Sequence, residues 1–467
     1  LTCPGPLILP EAGGDAAFDP TPVAPVISLV AAATSSGAGT VTAASGGNAL
    51  ATLVAGSSAA RVDGPTAPLV VRAEPTDQAA RVGASVGSIV TAGDLRGLSA
   101  ASCQRPTTDA WLVGGATDLS STAQLVIAAA GSTPAEVTVT VYGPSGKVDL
   151  SANHYLVAPG AQRVVVLGSV APEQRRVAVR VTATGGAVTT YLQDSALDGF
   201  TPQGTDLVVP GAEPAKQQVV AGLSVVDAGV DSPLAGALRL MVTGKKSTTA
   251  HIRLLGPDGE QDLPGAQDVN LAPGEVTDVP LGGLPAGAYT AVIDADRAIV
   301  ASGVVARAGS ATAVDPTVSM ERAWVASSVP GTSGVVAVPG GTRGTLVATA
   351  VGTSGSATGT LRLVGTDGRV VAERPVTIPA GTTGAWVVDT LVGAGALTPE
   401  TQGAATAGVT VAGVELVPDD GPTTLVWSLV ADVARPDGTL LSVLTPVPAD
   451  TGTSAVTVRQ DPRVGTR

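Results

Sequence analysis

Gly83-Ala84-Ser85-Val86-Gly87 fits the G-x-S-x-G spacing of a nucleophile elbow, where a sharp strand-to-helix turn presents a strained serine to a histidine. The chain holds two histidines, His154 and His251, so a triad has to recruit one of them. Neither flank of the motif promises a helix, and His154 sits in the polar turn Ser151-Ala152-Asn153-His154. A hydrolase built on Ser85, or on an Asp pair in a deep pocket, is therefore the least favoured chemistry. Gly244-Lys245-Lys246-Ser247-Thr248 has the flavour of a phosphate loop, but Arg239 stands where its leading glycine belongs and an extra lysine displaces the hydroxyl. A hairpin turn with a basic tip explains it better.

Two histidines and two cysteines do not make a zinc ligand set. Calcium needs clustered oxygens, and Asp294-Ala295-Asp296 and Asp419-Asp420 offer pairs without the spacing of a dedicated loop. Asp294 to Arg297 are expected to form a hairpin turn matching Thr184-Gly185-Gly186. No residue is assigned to catalysis, to a metal or to a cofactor. Four tryptophans remain, and exposed indoles are what a sugar-binding module stacks on pyranose rings. Trp111 and Trp324 share an Ala-Trp-(Leu/Val) context that marks them as core, and Trp386 and Trp427 also sit in apolar strands, so a core role is favoured over a ligand platform, for which Trp386 and Trp427 are the candidates.

Such residues must be held by elements that repeat. Gly143-Pro144-Ser145-Gly146, Gly256-Pro257-Asp258-Gly259 and Gly365-Thr366-Asp367-Gly368 each follow an alternating strand. Each is followed 15 to 17 residues later by a second turn, at Pro159-Gly160, Pro273-Gly274 and Ala380-Gly381. A unit of roughly 110 residues exceeds the 20 to 50 of solenoid or propeller repeats, so whole domains are duplicated. In Glu136-Val137-Thr138-Val139-Thr140-Val141-Tyr142 valines face one way and threonines the other, the period of a half-buried strand. The fold class is all-β, as tandem immunoglobulin-like or fibronectin-like β-sandwich modules. The expected modules are 1–106, 107–210, 211–320 and 321–467, the last with an insertion and a strand at 454–459. Short polar joints at 203–216 and 308–321 suggest an end-to-end or arched array.

Composition narrows the partners. With 44% hydrophobic but 2% aromatic residues, the cores must be built from Val, Ala, Leu and Ile. A net charge of −13 repels phosphate backbones and anionic headgroups, which argues against nucleic acid. Cys3 and Cys103 bracket the first module and are expected to form a disulfide, which places the chain outside the cytoplasm; the alternative is two reduced, buried thiols. Starting at Leu1 without Met, the sequence is expected to have lost an N-terminal signal or membrane anchor.

Leu1-Thr2-Cys3-Pro4-Gly5-Pro6, Cys103-Gln104-Arg105-Pro106, Asp109-Ala110-Trp111-Leu112-Val113-Gly114-Gly115 and Val139-Thr140-Val141-Tyr142-Gly143-Pro144-Ser145-Gly146 together resemble an actinobacterial family of extracytoplasmic envelope proteins, domain of unknown function 5719. The resemblance implies a β-rich extracytoplasmic region and, as partner, a membrane glycosyltransferase of the envelope or its glycan. It brings no catalytic residues. The expected function is a non-enzymatic scaffold or accessory protein of the cell envelope, touching the membrane only through the removed anchor. The alternative is a carbohydrate-binding or adhesive surface protein.

Overall fold

The computed structural model describes residues 1–10, 19–263, 266–311 and 318–448; the expected strand at 454–459 lies outside them. Within these bounds the chain is nearly all β, in four two-sheet sandwiches. All four follow one wiring: an outer sheet with strand order one, five, three, and an inner sheet with order four, two, six, seven. Consecutive strands one and two lie in opposite sheets, paired with consecutive strands five and six, the interlocked arrangement that B–E and C–F make in immunoglobulin sandwiches. The alternation works as expected in strand Ala135–Gly143, where Val137, Val139 and Val141 are buried and the threonines between them are not.

The twin turns have a structural meaning. The first joins strand three to its short edge partner, and the second carries the chain back into the inner sheet. Two turn assignments need correction. Asp294 to Arg297 form no turn but lie within one continuous strand, Gly287–Ala308, which serves both sheets of the third module. Gly244 to Ser247 form a corner between sheets and not a hairpin, because strands Ala237–Val242 and Thr248–Gly256 do not pair with each other.

The modules are not strung out as an array; they close into a ring. The seventh strands, Gly97–Ser102, Thr201–Val208, Met320–Ala326 and Gly438–Leu444, run side by side in the same direction along a common axis. Ser99 Oγ donates to Thr205 O (3.0 Å), Asp206 accepts from the Trp324 amide (2.8 Å), Glu321 from the Leu441 amide (3.2 Å), and Ser442 Oγ donates to Ala100 O (3.1 Å). Those four contacts complete the circle. First and last modules also meet through Arg81 and Glu415 (2.9 Å) and through Ser102 Oγ and Thr445 O (2.8 Å).

Ring closure explains the sequence of the inner strands. Each inner sheet packs one face on its own outer sheet and the other on the neighbouring module, so it reads as an unbroken buried run and not as an alternating one. In the first module Leu29 and Ala31 face the sandwich core, whereas Val30 and Ala32 pack against Val335, Ala337 and Ala412 of the fourth. Equivalent seams join Trp111 and Val113 to Met241 and Val300, and Val219 and Ala221 to Val351 and Val426. The elbow-like motif belongs to this packing. A Cβ at Gly83 would run into the backbone of Val335, and one at Gly87 would lie 2.9 Å from Pro339 Cβ.

The boundary expected at 321 cuts through strand Met320–Ala326, which is the seventh strand of the third module; the fourth begins with Gly334–Ala337. Trp324 is therefore not the counterpart of Trp111. Trp111 sits on a first strand, whereas Trp324 sits on an axial one and donates its indole N–H to Asp194 of the second module (2.8 Å).

Candidate functional site

The axis carries charge that a hydrophobic core does not need. Asp206 is fully buried on the second module's axial strand, where one carboxyl oxygen accepts the Trp324 amide and the other lies within hydrogen-bond distance of Ser442 Oγ (2.8 Å each). Glu321, 1% exposed on the third, accepts the amides of Leu98 (2.9 Å) and Leu441 (3.2 Å). Each carboxyl thus ties its own strand to two others. Edge strands meeting without a shared ladder leave backbone N–H groups that must find partners, and these two side chains supply them. Burial pushes Asp206 up to about 8, against the lowering effect of its hydrogen bonds from Trp324, Leu207, Ser442 and Ala100. Burial also holds Glu321 well above the usual carboxylate range, opposed by the Leu98 and Leu441 amides and by Arg96, and reinforced by Asp206. At one end of the axis Arg96 pairs with Asp437 (2.7 Å).

At the other end, where all four axial strands stop, a cavity of about 690 Å³ opens. Its wall is formed by the segments through which the chain leaves each strand: Gln104 and Arg105, then Pro210 to Pro214, then Ser327 to Val329, then Thr445 to Pro448. Arg105 Nε donates to Pro448 O (3.1 Å), and Ala212 N to Ser327 O (3.0 Å), so the rim is braced across modules. One side is aromatic. Trp111 stacks on Tyr142 with centroids 5.7 Å apart and planes 26° apart, and the Arg180 guanidinium lies 5.4 Å from the Trp111 ring centre.

Arg180 is fixed by a two-pronged pair with Asp109, Nε to Oδ1 at 3.0 Å and Nη2 to Oδ2 at 2.6 Å. Both side chains keep almost half of their surface exposed, 42% and 46%. Hydrogen bonding to Asp109 holds the Arg180 guanidinium firmly charged. Thr189, Thr190, Thr243, Thr332, Ser327 and Ser328 make the rest of the lining rich in hydroxyls. Thr190 Oγ1 and Ser328 Oγ have no hydrogen-bond partner among the described residues, a condition they share with buried hydroxyls elsewhere in the ring such as Ser85 and Ser302.

A cleft of about 670 Å³ between the second and third modules is the other large cavity. Two of its cations are already engaged: Arg239 by Asp278 (2.8 and 2.9 Å) and Arg322 by Asp194 (2.7 Å).

The residues singled out in the sequence fall elsewhere. Cys3 and Cys103 are joined by a disulfide that ties the outer sheet of the first module to the end of its axial strand. Trp386 (4% exposed) and Trp427 (1%) are core residues whose indoles donate to Thr398 O and Thr332 O, so neither offers a ring face to a ligand, and the platform reading of these two falls in favour of the core one. Ser85 is fully buried in strand Arg81–Val90. His154 and His251 stand on exposed positions of outer sheets, beside Thr138 (3.1 Å) and Asp268 (2.9 Å). Asp294 is held by Gln217 and Arg253. Among the described residues no cluster of three or more His, Cys, Asp or Glu has metal-binding geometry. The same residues include no helix long and apolar enough to cross a membrane.

Sequence reasoning missed Asp206, Glu321 and the Asp109–Arg180 pair. The available signal was a lone acid inside an otherwise apolar strand, as in Gly204-Thr205-Asp206-Leu207-Val208.

Comparison with known proteins adds a family and little else. The model of a family of unknown function, DUF5719, matches residues 27–389. No curated protein matches the sequence. Among solved structures, a biofilm-associated protein BSP domain aligns at 10% identity over 92% of this chain and 91% of its own, with a TM-score of 0.13. A Streptomyces avermitilis alpha-L-rhamnosidase complexed with L-rhamnose aligns at 12% identity over 90% of this chain and 54% of its own, with a TM-score of 0.11. Likenesses this loose carry no weight for fold or function.

Proposed function

We propose that this chain, which belongs to the DUF5719 family of unknown function, is a non-enzymatic extracytoplasmic scaffold of the cell envelope that receives its ligand at the axial cavity. The observation that carries the reading is the ring itself: four sandwiches locked about a polar axis, with Arg96 and Asp437 paired beside a hollow of about 400 Å³ at one end and, at the other, the larger cavity to which segments from every module contribute. A rigid frame with a shared mouth suits holding a partner in place. The disulfide supports an oxidising compartment. The partners on this reading are an envelope protein, foremost a membrane glycosyltransferase, or the glycan that it makes, with attachment to the membrane through an N-terminal anchor.

Affinity capture from envelope membranes tests this, comparing the wild-type chain with a cavity variant, Asp109→Ala with Arg180→Ala. Recovery of a glycosyltransferase or its glycan by wild type and not by the variant is the expected result. Equal recovery by both chains removes the cavity from the account, and recovery of neither partner removes the envelope assignment. Turnover of chromogenic ester or glycoside substrates by the purified protein contradicts the non-enzymatic part.

A further inference from the structure

The chemistry of the axial cavity narrows what it can hold. Its charged residues balance, Arg105 and Arg180 against Asp109 and Glu213, with Arg180 paired to Asp109, so the wall carries no net positive charge for an anionic ligand, and the chain as a whole carries −13. A guanidinium and a carboxylate fixed side by side present donors and acceptors together, as neighbouring hydroxyls on a ring require. Next to them Tyr142, partly exposed and stacked on Trp111, gives an apolar face against which a pyranose can lie.

Hydroxyls at the cavity surface add to the case. Thr107, Thr243 and Thr332 line it, are partly exposed, and each spends its proton on a backbone carbonyl, which leaves a lone pair on the oxygen free to accept from a ligand hydroxyl. The volume of about 690 Å³ lies in the range of small-molecule sites and exceeds what a single small ion needs.

We propose that the axial cavity binds a short neutral oligosaccharide, stacked on Tyr142 and hydrogen-bonded by Asp109 and Arg180. The assignment rests on the reading of this cavity as the ligand-receiving end of the scaffold, and it moves carbohydrate recognition from Trp386 and Trp427 to a different place.

The test uses the full chain and a panel of neutral di- and trisaccharides at millimolar concentration, followed by ligand-observed NMR and then calorimetry. Glucuronate-containing saccharides and inorganic phosphate serve as the anionic arm. At least one neutral saccharide is expected to bind, and Tyr142→Ala and Asp109→Asn each to weaken it about tenfold or more. Circular dichroism of every variant verifies the fold.

Absence of binding across the neutral panel overturns the proposal, as does binding that Tyr142→Ala and Asp109→Asn leave unchanged. Tighter binding of the anionic arm overturns the neutral class. An envelope partner captured equally well by wild type and Asp109→Asn, together with no saccharide binding, leaves the scaffold standing and sinks the glycan site alone.

Discussion

Replacing Asp206 with asparagine should take away one of the two axial carboxyls' contributions to the protein's pH dependence between mildly acid and mildly alkaline conditions, leaving that of Glu321. The carboxyl titrates near 3.8 when solvated and at about 8 in the folded ring. The native state therefore keeps a proton that the unfolded chain releases, so stability from this group is complete below pH 3.8 and lost as pH rises through about 8. Each unit in that window costs about 1.4 kcal/mol, or about 6 kcal/mol across the whole of it as an upper figure. The asparagine side chain does not titrate, and its amide can keep both contacts: the carbonyl receives the Trp324 amide and the NH2 donates to Ser442 Oγ, which can turn to accept. Urea unfolding followed by far-UV circular dichroism at pH 5 and pH 8 gives the comparison. Between those points wild type should lose about 4 kcal/mol relative to Asp206→Asn. Parallel curves for the two proteins would refute the reasoning, because the axial carboxyl would then be ionised or solvated in both.

Other perturbations probe the same ring. Asp206→Ala leaves the Trp324 amide and Ser442 without their partner and should cost about 2 to 4 kcal/mol at pH 5, read from the urea midpoint, with the cost shrinking as pH rises toward 8. Mutating Cys3 and Cys103 to serine frees a loop whose ends are 100 residues apart and should lower stability by about 4 to 5 kcal/mol, matched by the effect of reductant on the melting temperature. Gly204 has φ +97, and a Cβ there would lie 2.5 Å from the Arg322 amide, so Gly204→Ala should destabilise by about 2 to 4 kcal/mol and loosen the axis in hydrogen exchange. Trp386→Ala should cost about 3 to 5 kcal/mol and leave saccharide affinity unaltered, as expected of a core residue remote from the cavity.

Local order was legible in the sequence and closure was not. Period-two runs such as Glu136 to Tyr142 locate strands because each residue's neighbours in the sheet decide which face is wet. The twin turns identify three modules because glycine is needed at fixed corners, as at Gly146, Gly259 and Gly368, all with positive φ. The first module turns instead at Gly46 and Gly47, and so it lacked the signature while sharing the wiring. Ring closure depends on pairs such as Arg81 and Glu415, separated by 334 residues, and no local pattern records them. The Ala-Trp-(Leu/Val) match misled for the same reason, since one short apolar context suits both a first strand and an axial one. The indoles of Trp386 and Trp427 were candidates only until their burial was known. The cavity was illegible because its wall is assembled from chain exits, Gln104, Pro210, Ser327 and Thr445, that share no motif.

Small-angle scattering of the intact chain in dilute solution tests ring closure most directly. A compact body of this length has a radius of gyration of about 23 Å, whereas four modules of the same mass laid end to end would give roughly 40 Å. A closed ring requires a value close to the first. A value near the second, with the distance distribution of a rod, would contradict it and take the axial cavity with it.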